Sequence, residues 1–122
     1  MREKLENLLM NAYTPYDRVK FACIVKMDNG TEFNGVTVKN SIFRDGIYAE
    51  QIAIASAVAD GYKKGNFDSL YLMVNTDNIS DLKYLNRDII IEFFDPSDRV
   101  VLMTISGEKR VFKVGNLFNN IY

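Results

Sequence analysis

Few side chains in this sequence could do chemistry. Its 122 residues include no histidine and a single cysteine, Cys23. Nucleophile pairs that need an imidazole are therefore excluded, and any catalysis must use carboxylates, lysine or tyrosine. The same counts exclude an internal disulfide and a tetrahedral zinc site of imidazole and thiolate ligands within one chain. Glu50, at the start of an apolar stretch, is the carboxylate of greatest interest.

Composition limits the class of protein. Hydrophobic residues make up 48% and charged residues 25% of the chain, enough for one packed core, so we expect a single domain over residues 1–122. With 15 Lys+Arg against 16 Asp+Glu, the net charge of -1 leaves no positive excess for a nucleic-acid backbone. No apolar run approaches the roughly 18 residues of a membrane span. The lone cysteine and the amphipathic beginning of the sequence favour a cytoplasmic protein.

Turn and capping signals predict the elements of the first half. Leucines at helical spacing predict a first helix that ends near residues 11–13, before Thr14-Pro15. Asp28-Asn29-Gly30 predicts the turn of a β-hairpin with strands over 19–27 and 31–38. The alanine-rich run 47–59, closed by Asp60-Gly61, predicts a buried central helix.

The second half predicts one more helix and three strands. Residues 70–74 predict a short apolar strand of the parallel-sheet type. Ser80 is the expected N-cap of a third helix that ends before Asp95-Pro96, and strands follow over 100–105 and 110–114. This order predicts an α/β fold of three layers, α/β/α, in which helices cover both faces of a mixed five-stranded sheet.

Four segments resemble, in order and spacing, the small cytidine deaminases and the related blasticidin S deaminases. They are AYTPYDRVKFACIV, GVTVKN, YAEQIAIASAVADGY and VGNLFNNIY, and they span nearly the whole chain. The corresponding family motifs are AYxPYS, CNxEN, CAER and ELLPxxF. The resemblance implies the cytidine-deaminase fold and a homotetramer with pockets at subunit boundaries, with a dimer as the alternative.

The resemblance also implies a zinc ion held by the central-helix motif and by two cysteines of PCGxCRQ, with the motif's glutamate moving protons. Glu50 occupies the position of that glutamate, and Arg87 keeps the arginine. Tyr48, Lys83 and Asn86 occupy the three ligand positions, so we expect no zinc cofactor. One hypothesis is that the Lys83 ammonium faces Glu50 and neutralises it. The alternative is that Lys83 reaches solvent while the other two side chains fill the vacated volume.

The positions that bind the nucleoside in the family are altered as well. Thr37 and Lys39 replace the Asn and Glu that the resemblance implies for the ribose hydroxyls, and Val19 replaces a phenylalanine that lines the pocket. Lys39 with the nearby Arg44 would favour an anionic ligand such as a nucleotide, although two basic residues near a loop are also ordinary surface.

Other residues have both a functional and a structural interpretation. Glu50 would interact favourably with the helix dipole whatever its chemistry. Cys23, in an apolar strand, is expected to be a small buried hydrophobe. Aromatic residues could stack a base or simply pack the first loop; they are Tyr13, Tyr16, Phe43 and Tyr122. The resemblance makes the apolar tail a candidate subunit contact, through Leu117, Phe118 and Tyr122.

Three functions fit these residues. The first, which we favour, is a deaminase homologue without zinc or catalysis, retained as a nucleoside or nucleotide binding protein or as an oligomerising subunit. The second is an active cytidine deaminase with an unrecognised metal arrangement. The third is a different enzyme on the same fold, which uses Glu50 with Lys83 or Asp45 as an acid and base pair on a nucleotide-like ligand.

Overall fold

The chain folds into three α-helices and five β-strands, with two short 3-10 segments. The computed structural model describes residues 1–16, 18–42 and 46–117, without the side chains of Lys83 and Tyr84. In chain order the elements are α1 (Arg2–Leu9), β1 (Phe21–Met27), β2 (Glu32–Val36), α2 (Ala49–Ala59), β3 (Phe67–Val74), a 3-10 segment (Ile79–Tyr84), α3 (Arg87–Phe93), β4 (Arg99–Thr104), β5 (Lys109–Lys113) and a 3-10 turn (Val114–Asn116). Candidate residues outside the described ranges are Phe43, Arg44, Asp45, Phe118 and Tyr122.

The strands form one mixed sheet in the order β2-β1-β3-β4-β5. β1 is antiparallel to both β2 and β3, β3 and β4 are parallel, and β4 and β5 are antiparallel. Gly30 turns the β1–β2 hairpin with a φ of 90°, a conformation that costs glycine little. The predicted five-stranded sheet with an N-terminal hairpin is confirmed.

Helices cover both faces of the sheet, which confirms the three-layer α/β/α prediction. α1 contributes Leu5 and Leu9 to a core cluster on one face. α2 and α3 form a larger cluster on the other face, where Ala53 and Ile90 are fully buried. None of the described helices has the length and apolar character needed to cross a bilayer.

The first helix is shorter than predicted, because the chain turns toward the sheet. It ends at Leu9, after which the N–H groups of Asn11 and Ala12 donate to carbonyls only three residues back. The N–H of Tyr13 then donates to the carbonyl of Thr37 at 2.9 Å. A contact with a distant strand end thus replaces the last helical turn that the sequence suggested.

The third helix was predicted wrongly as one segment capped by Ser80. Asn78 caps the 3-10 segment by accepting from the N–H of Ser80 at 3.1 Å, and Leu85 is extended, with a ψ of 155°. α3 begins only at Arg87, with Asn86 as its N-cap. Asparagine readily ends one helix and caps the next because its side-chain oxygen replaces a backbone acceptor.

Helix α2 lies very close to the hairpin, and Gly35 makes this approach possible. A Cβ atom at residue 35 would overlap the carbonyl oxygen of Ala49 and lie 2.7 Å from the nitrogen of Ala53. The obstacles are backbone atoms, which cannot move aside without moving the helix. Small residues on β2 and α2 therefore set the position of the first turn of α2, which carries Glu50.

Candidate functional site

Glu50 is a buried carboxylate in the first turn of α2. Its residue is 2% exposed, although glutamate is rarely buried unless it is paired. One carboxylate oxygen, Oε2, accepts the backbone N–H of Asn86 at 2.5 Å. This bond joins the beginning of α2 to the beginning of α3.

Burial and hydrogen bonding act on the Glu50 carboxyl in opposite directions. Desolvation raises its pKa above the ordinary glutamate value, while the peptide N–H groups of Asn86 and of Glu50 itself lower it. Desolvation is the larger cause, so the pKa is raised overall. A carboxyl of this kind holds its proton to higher pH than an exposed one.

Cys23 lies on β1, where it pairs with Gly35 of β2, and is fully buried. Its pKa is raised well above that of a free thiol, first by burial and then by the negative charge of Glu50. The thiol is therefore protonated at neutral pH and is a poor nucleophile. This agrees with its expected role as a small hydrophobic core residue.

Tyr48 and Asn86 occupy equivalent places on two helices. Tyr48 is the N-cap of α2 and is partly exposed, and Asn86 is the N-cap of α3. Both line a cleft of about 330 Å³. The other residues that line it are Leu85, Arg87 and Asp88. The structure thus brings together Tyr48, Asn86 and the neighbouring Glu50, as expected from their places in the sequence motifs.

The described residues around Glu50 do not fit a zinc ion. Tyr48 offers a phenol, the Asn86 side-chain oxygen is engaged by the N–H of Ile89 at 3.3 Å, and the Cys23 thiol is held in its protonated form. Zinc in proteins takes thiolate, imidazole or carboxylate ligands in tetrahedral sets. Within the described ranges no three Cys, Asp or Glu side chains come together in such a set.

Thr37 and Lys39 lie on the segment that follows β2. The Thr37 hydroxyl is buried, accepts the N–H of Phe21 at 3.0 Å and lies 3.3 Å from the Phe21 carbonyl. Lys39 is half-buried, and its backbone N–H donates to the carbonyl of Tyr13 at 2.8 Å. Val38, between them, pairs with Ile47, the residue just before Tyr48. Neither side chain lines the 330 Å³ cleft, and their ligand-binding role stays a prediction.

Val19 packs against the core cluster of α2 and α3 rather than into the cleft. The loop around it is held by Asn75, which follows β3. Asn75 Oδ1 accepts the N–H of Lys20 at 2.8 Å, and its Nδ2 donates to the carbonyl of Arg18 at 2.9 Å. Sequence reasoning treated Asn75 only as part of a loop.

Two other residues that line the cleft were not predicted from the sequence. Leu85 and Asp88 line the cleft because the chain is extended between the 3-10 segment and α3, a break that the continuous-helix prediction hid. The polar Asn86 followed by Asp88 is a capping signal that could have revealed it. The side chain of Lys83 and all of Tyr122 lie outside what the structure describes, so their proposed roles stay predictions.

The sequence of this chain is similar to those of known cytidine deaminases. A cytidine deaminase of Mycoplasma genitalium is 30% identical over 119 residues, which cover 97% of this chain and 89% of that protein. A cytidine deaminase of Sporosarcina psychrophila is 28% identical over 97 residues, covering 80% and 70%. No model of a protein family matches the sequence.

Solved structures show the same likeness. Cytidine deaminase from Burkholderia pseudomallei superposes with a TM-score of 0.84 at 27% identity, over 98% of this chain and 94% of that one. The enzyme from Mycobacterium leprae, at 18% identity, shares the fold with a TM-score of 0.73 over 98% and 95%. The fold and its relatives together place this chain in the cytidine deaminase family.

Proposed function

We propose that this protein, within the cytidine deaminase family, binds a pyrimidine nucleoside or nucleotide but holds no zinc and does not deaminate its ligand. The observation that carries the proposal is the set of contacts made by Tyr48 and Asn86, the two described residues at the predicted zinc-ligand positions. The side-chain oxygen of Asn86 accepts the N–H of Ile89 at the start of α3, and Tyr48 places an aromatic ring beside the cleft without a side-chain hydrogen bond to α2. Both serve the helices and the cleft instead of a metal.

Energetics argue against hydrolysis without a metal. A zinc ion lowers the pKa of bound water from 15.7 to about 7, which at 1.36 kcal/mol per unit corresponds to roughly 12 kcal/mol. Glu50 is one buried carboxyl with one oxygen already bonded to a peptide N–H. General-base catalysis by a side chain contributes about 10² to 10⁴-fold, far less than that deficit.

The cleft supports the binding part of the proposal. Its volume of about 330 Å³ falls within the range of small-molecule sites. Tyr48 supplies an aromatic ring at its edge, and Asn86 and Arg87 supply polar groups for orientation. Lys39 does not line the cleft, but it follows Val38, which pairs with Ile47 next to Tyr48, and its positive charge there favours an anionic ligand.

Exposed apolar residues support assembly from identical subunits. Tyr13, Val38 and Ile47 are joined by β-bridges, and these residues are 56%, 37% and 46% exposed. Large exposed apolar groups that lie together are typical of interaction surfaces. A homotetramer is the form we propose, and light scattering that finds a monomer at micromolar concentration would exclude a pocket shared between subunits.

Calorimetry with cytidine, uridine and cytidine monophosphate tests binding. We expect saturable binding of at least one of them, weakened about fivefold or more in Tyr48→Ala by the loss of about 1 kcal/mol of aromatic contact. Tyr71→Ala is the matched control, because Tyr71 packs on the opposite face of the sheet, and it should bind normally. No heat with any of the three ligands would contradict the proposal.

Restoring the family ligands tests the assignment of the three positions. A triple variant, Tyr48→Cys with Lys83→Cys and Asn86→Cys, should bind about one zinc ion per chain by elemental analysis, whereas the unmodified protein should bind none. Zinc in the unmodified protein would overturn the proposal. A triple variant without zinc would show that the positions are misassigned.

A second candidate function is cytidine deamination itself. It is favoured by the 30% identity to a cytidine deaminase across 97% of the chain and by the presence of Glu50 at the family's glutamate position. It requires metal ligands that the described residues do not supply. Deaminase activity that is lost on chelation and restored by zinc would favour this candidate over the first.

A further inference from the structure

The N-terminus of α3 contains half of a capping box. In a complete box the N-cap side chain accepts the N–H of the third helical residue, whose own Glu or Gln side chain accepts the N-cap N–H in return. Asn86 makes the first bond by accepting from Ile89 at 3.3 Å. Ile89 has no acceptor in its side chain, so it cannot make the second.

Glu50 makes that second bond from another helix. Its Oε2 accepts the N–H of Asn86 at 2.5 Å, across 36 positions of sequence. Glu50 is 2% exposed and Asn86 is partly buried, so water competes little for either group. A buried N–H without a partner is destabilising, so this bond has a structural value that does not depend on catalysis.

We infer that Glu50 completes the capping box of α3 from α2 and thereby holds the two helix starts together, in the place where other members of the family would need a metal. Glu50 is then a positioning residue, which sets the wall of the cleft formed by Leu85, Asn86 and Arg87. This rests on the proposed function only in that no metal joins the two helices. It also gives Glu50 a structural role that does not depend on a metal.

What the inference requires of residue 50 is an acceptor, not a charge. Glutamine keeps a side-chain oxygen at the same reach, and methionine keeps the volume without a strong acceptor. Glu50→Gln and Glu50→Met therefore form a matched pair. The local readout is amide hydrogen exchange at Asn86 and Ile89, measured relative to Leu72 in the centre of β3 so that global changes in stability cancel.

In Glu50→Met, we expect the relative exchange rates at Asn86 and Ile89 to rise at least tenfold, where each tenfold change corresponds to about 1.4 kcal/mol in the free energy of opening. In Glu50→Gln, we expect these rates to stay within about threefold of those in the unmodified protein. Equal exchange in the two variants would overturn the inference. The proposed function fails separately, through zinc content or deamination, and neither readout depends on the other.

A second pair removes the donor instead of the acceptor, which keeps the inference testable if Glu50→Met does not fold. Asn86→Ala keeps the peptide N–H and Asn86→Pro lacks it. The φ of -81° at residue 86 and the ψ of 155° at Leu85 suit a proline and the residue before it. Thermal unfolding should show Asn86→Pro below Asn86→Ala, and in a Glu50→Ala background the difference should disappear. The same difference in both backgrounds would overturn the inference.

Discussion

The two faces of the sheet are built differently. The face under α1 is covered by an apolar cluster that includes Leu5, Ile24 and Met73. Among the described residues both buried charged side chains, Glu50 and Arg87, lie on the other side, with α2 and α3. The α1 face is thus a packing surface, whereas the α2/α3 face carries the desolvation cost that usually accompanies a functional site.

From this difference we expect the stability of the protein to be sensitive to pH and to polar substitution on one face only. On the α1 face, stability should follow the apolar volume that is buried. On the α2/α3 face, it should also follow hydrogen-bond partners and protonation.

Gly35→Ala should have the largest effect on the free energy of unfolding, because it disrupts the close contact between β2 and α2. Its Cβ would overlap backbone atoms of Ala49 and Ala53, so we expect a loss of more than about 3 kcal/mol in urea unfolding. Gly61→Ala is the control. Gly61 has a φ of 99° but open space around it, so its cost should be about 1 to 2 kcal/mol. A smaller loss for Gly35→Ala than for Gly61→Ala would contradict the described packing.

Leu5→Ala should be the next largest and should act on the α1 face alone. Leu5 is fully buried, so we expect a loss of about 3 kcal/mol. Because no buried charge of the described residues lies on that face, the loss should be the same at pH 5 and pH 8. Met10→Ala, at an 81% exposed position just after α1, should change the free energy of unfolding by less than about 0.5 kcal/mol. A strongly pH-dependent loss in Leu5→Ala would show that the α1 face is not a purely apolar packing surface.

Glu50→Gln should reveal a pH dependence on the opposite face. Burial raises the pKa of Glu50 in the folded protein, so the folded state holds a proton that the unfolded state releases near the ordinary value of about 4.3. The contribution of Glu50 to stability therefore falls as pH rises from that value through the raised one. The melting temperature of Glu50→Gln, relative to the unmodified protein, should increase across this window and level off above it. A constant difference would show that Glu50 does not titrate as its burial requires.

Lys83→Met tests the hypothesis that an ammonium group neutralises Glu50. If the two side chains face each other, removing the positive charge raises the pKa of Glu50 further, because an opposite charge favours the ionised carboxylate. Carbon-13 NMR of the Glu50 carboxyl measures this directly. An unchanged pKa would count against the pairing and would support the interpretation in which Lys83 reaches solvent.

Sequence reasoning predicted the fold well where local signals and topology agree. Gly30 marked the hairpin, and alanines such as Ala53 marked a helix buried against the sheet, as observed. The motif around Glu50 indicated the family that the relatives support. These features depend on short-range patterns or on a motif, both of which one sequence contains.

What the sequence did not reveal depends on contacts between distant segments. The break at Leu85 and the bond from Asn86 to Glu50 exist only because α2 and α3 are neighbours in space. Thr37 was considered only as a ligand residue, yet its hydroxyl lies against the backbone of Phe21 on a neighbouring strand. Hydrogen bonds of this kind have no periodicity to read, so only the structure could place them.

Ammonia release from cytidine is the decisive assay for the proposal that the site has no metal able to activate water. The protein is washed with chelator, assayed with and without added zinc, and compared with an active cytidine deaminase under the same conditions. We expect no release above the uncatalysed rate in either case. Release at an enzymatic rate, from the washed or the zinc-treated protein, would contradict the account.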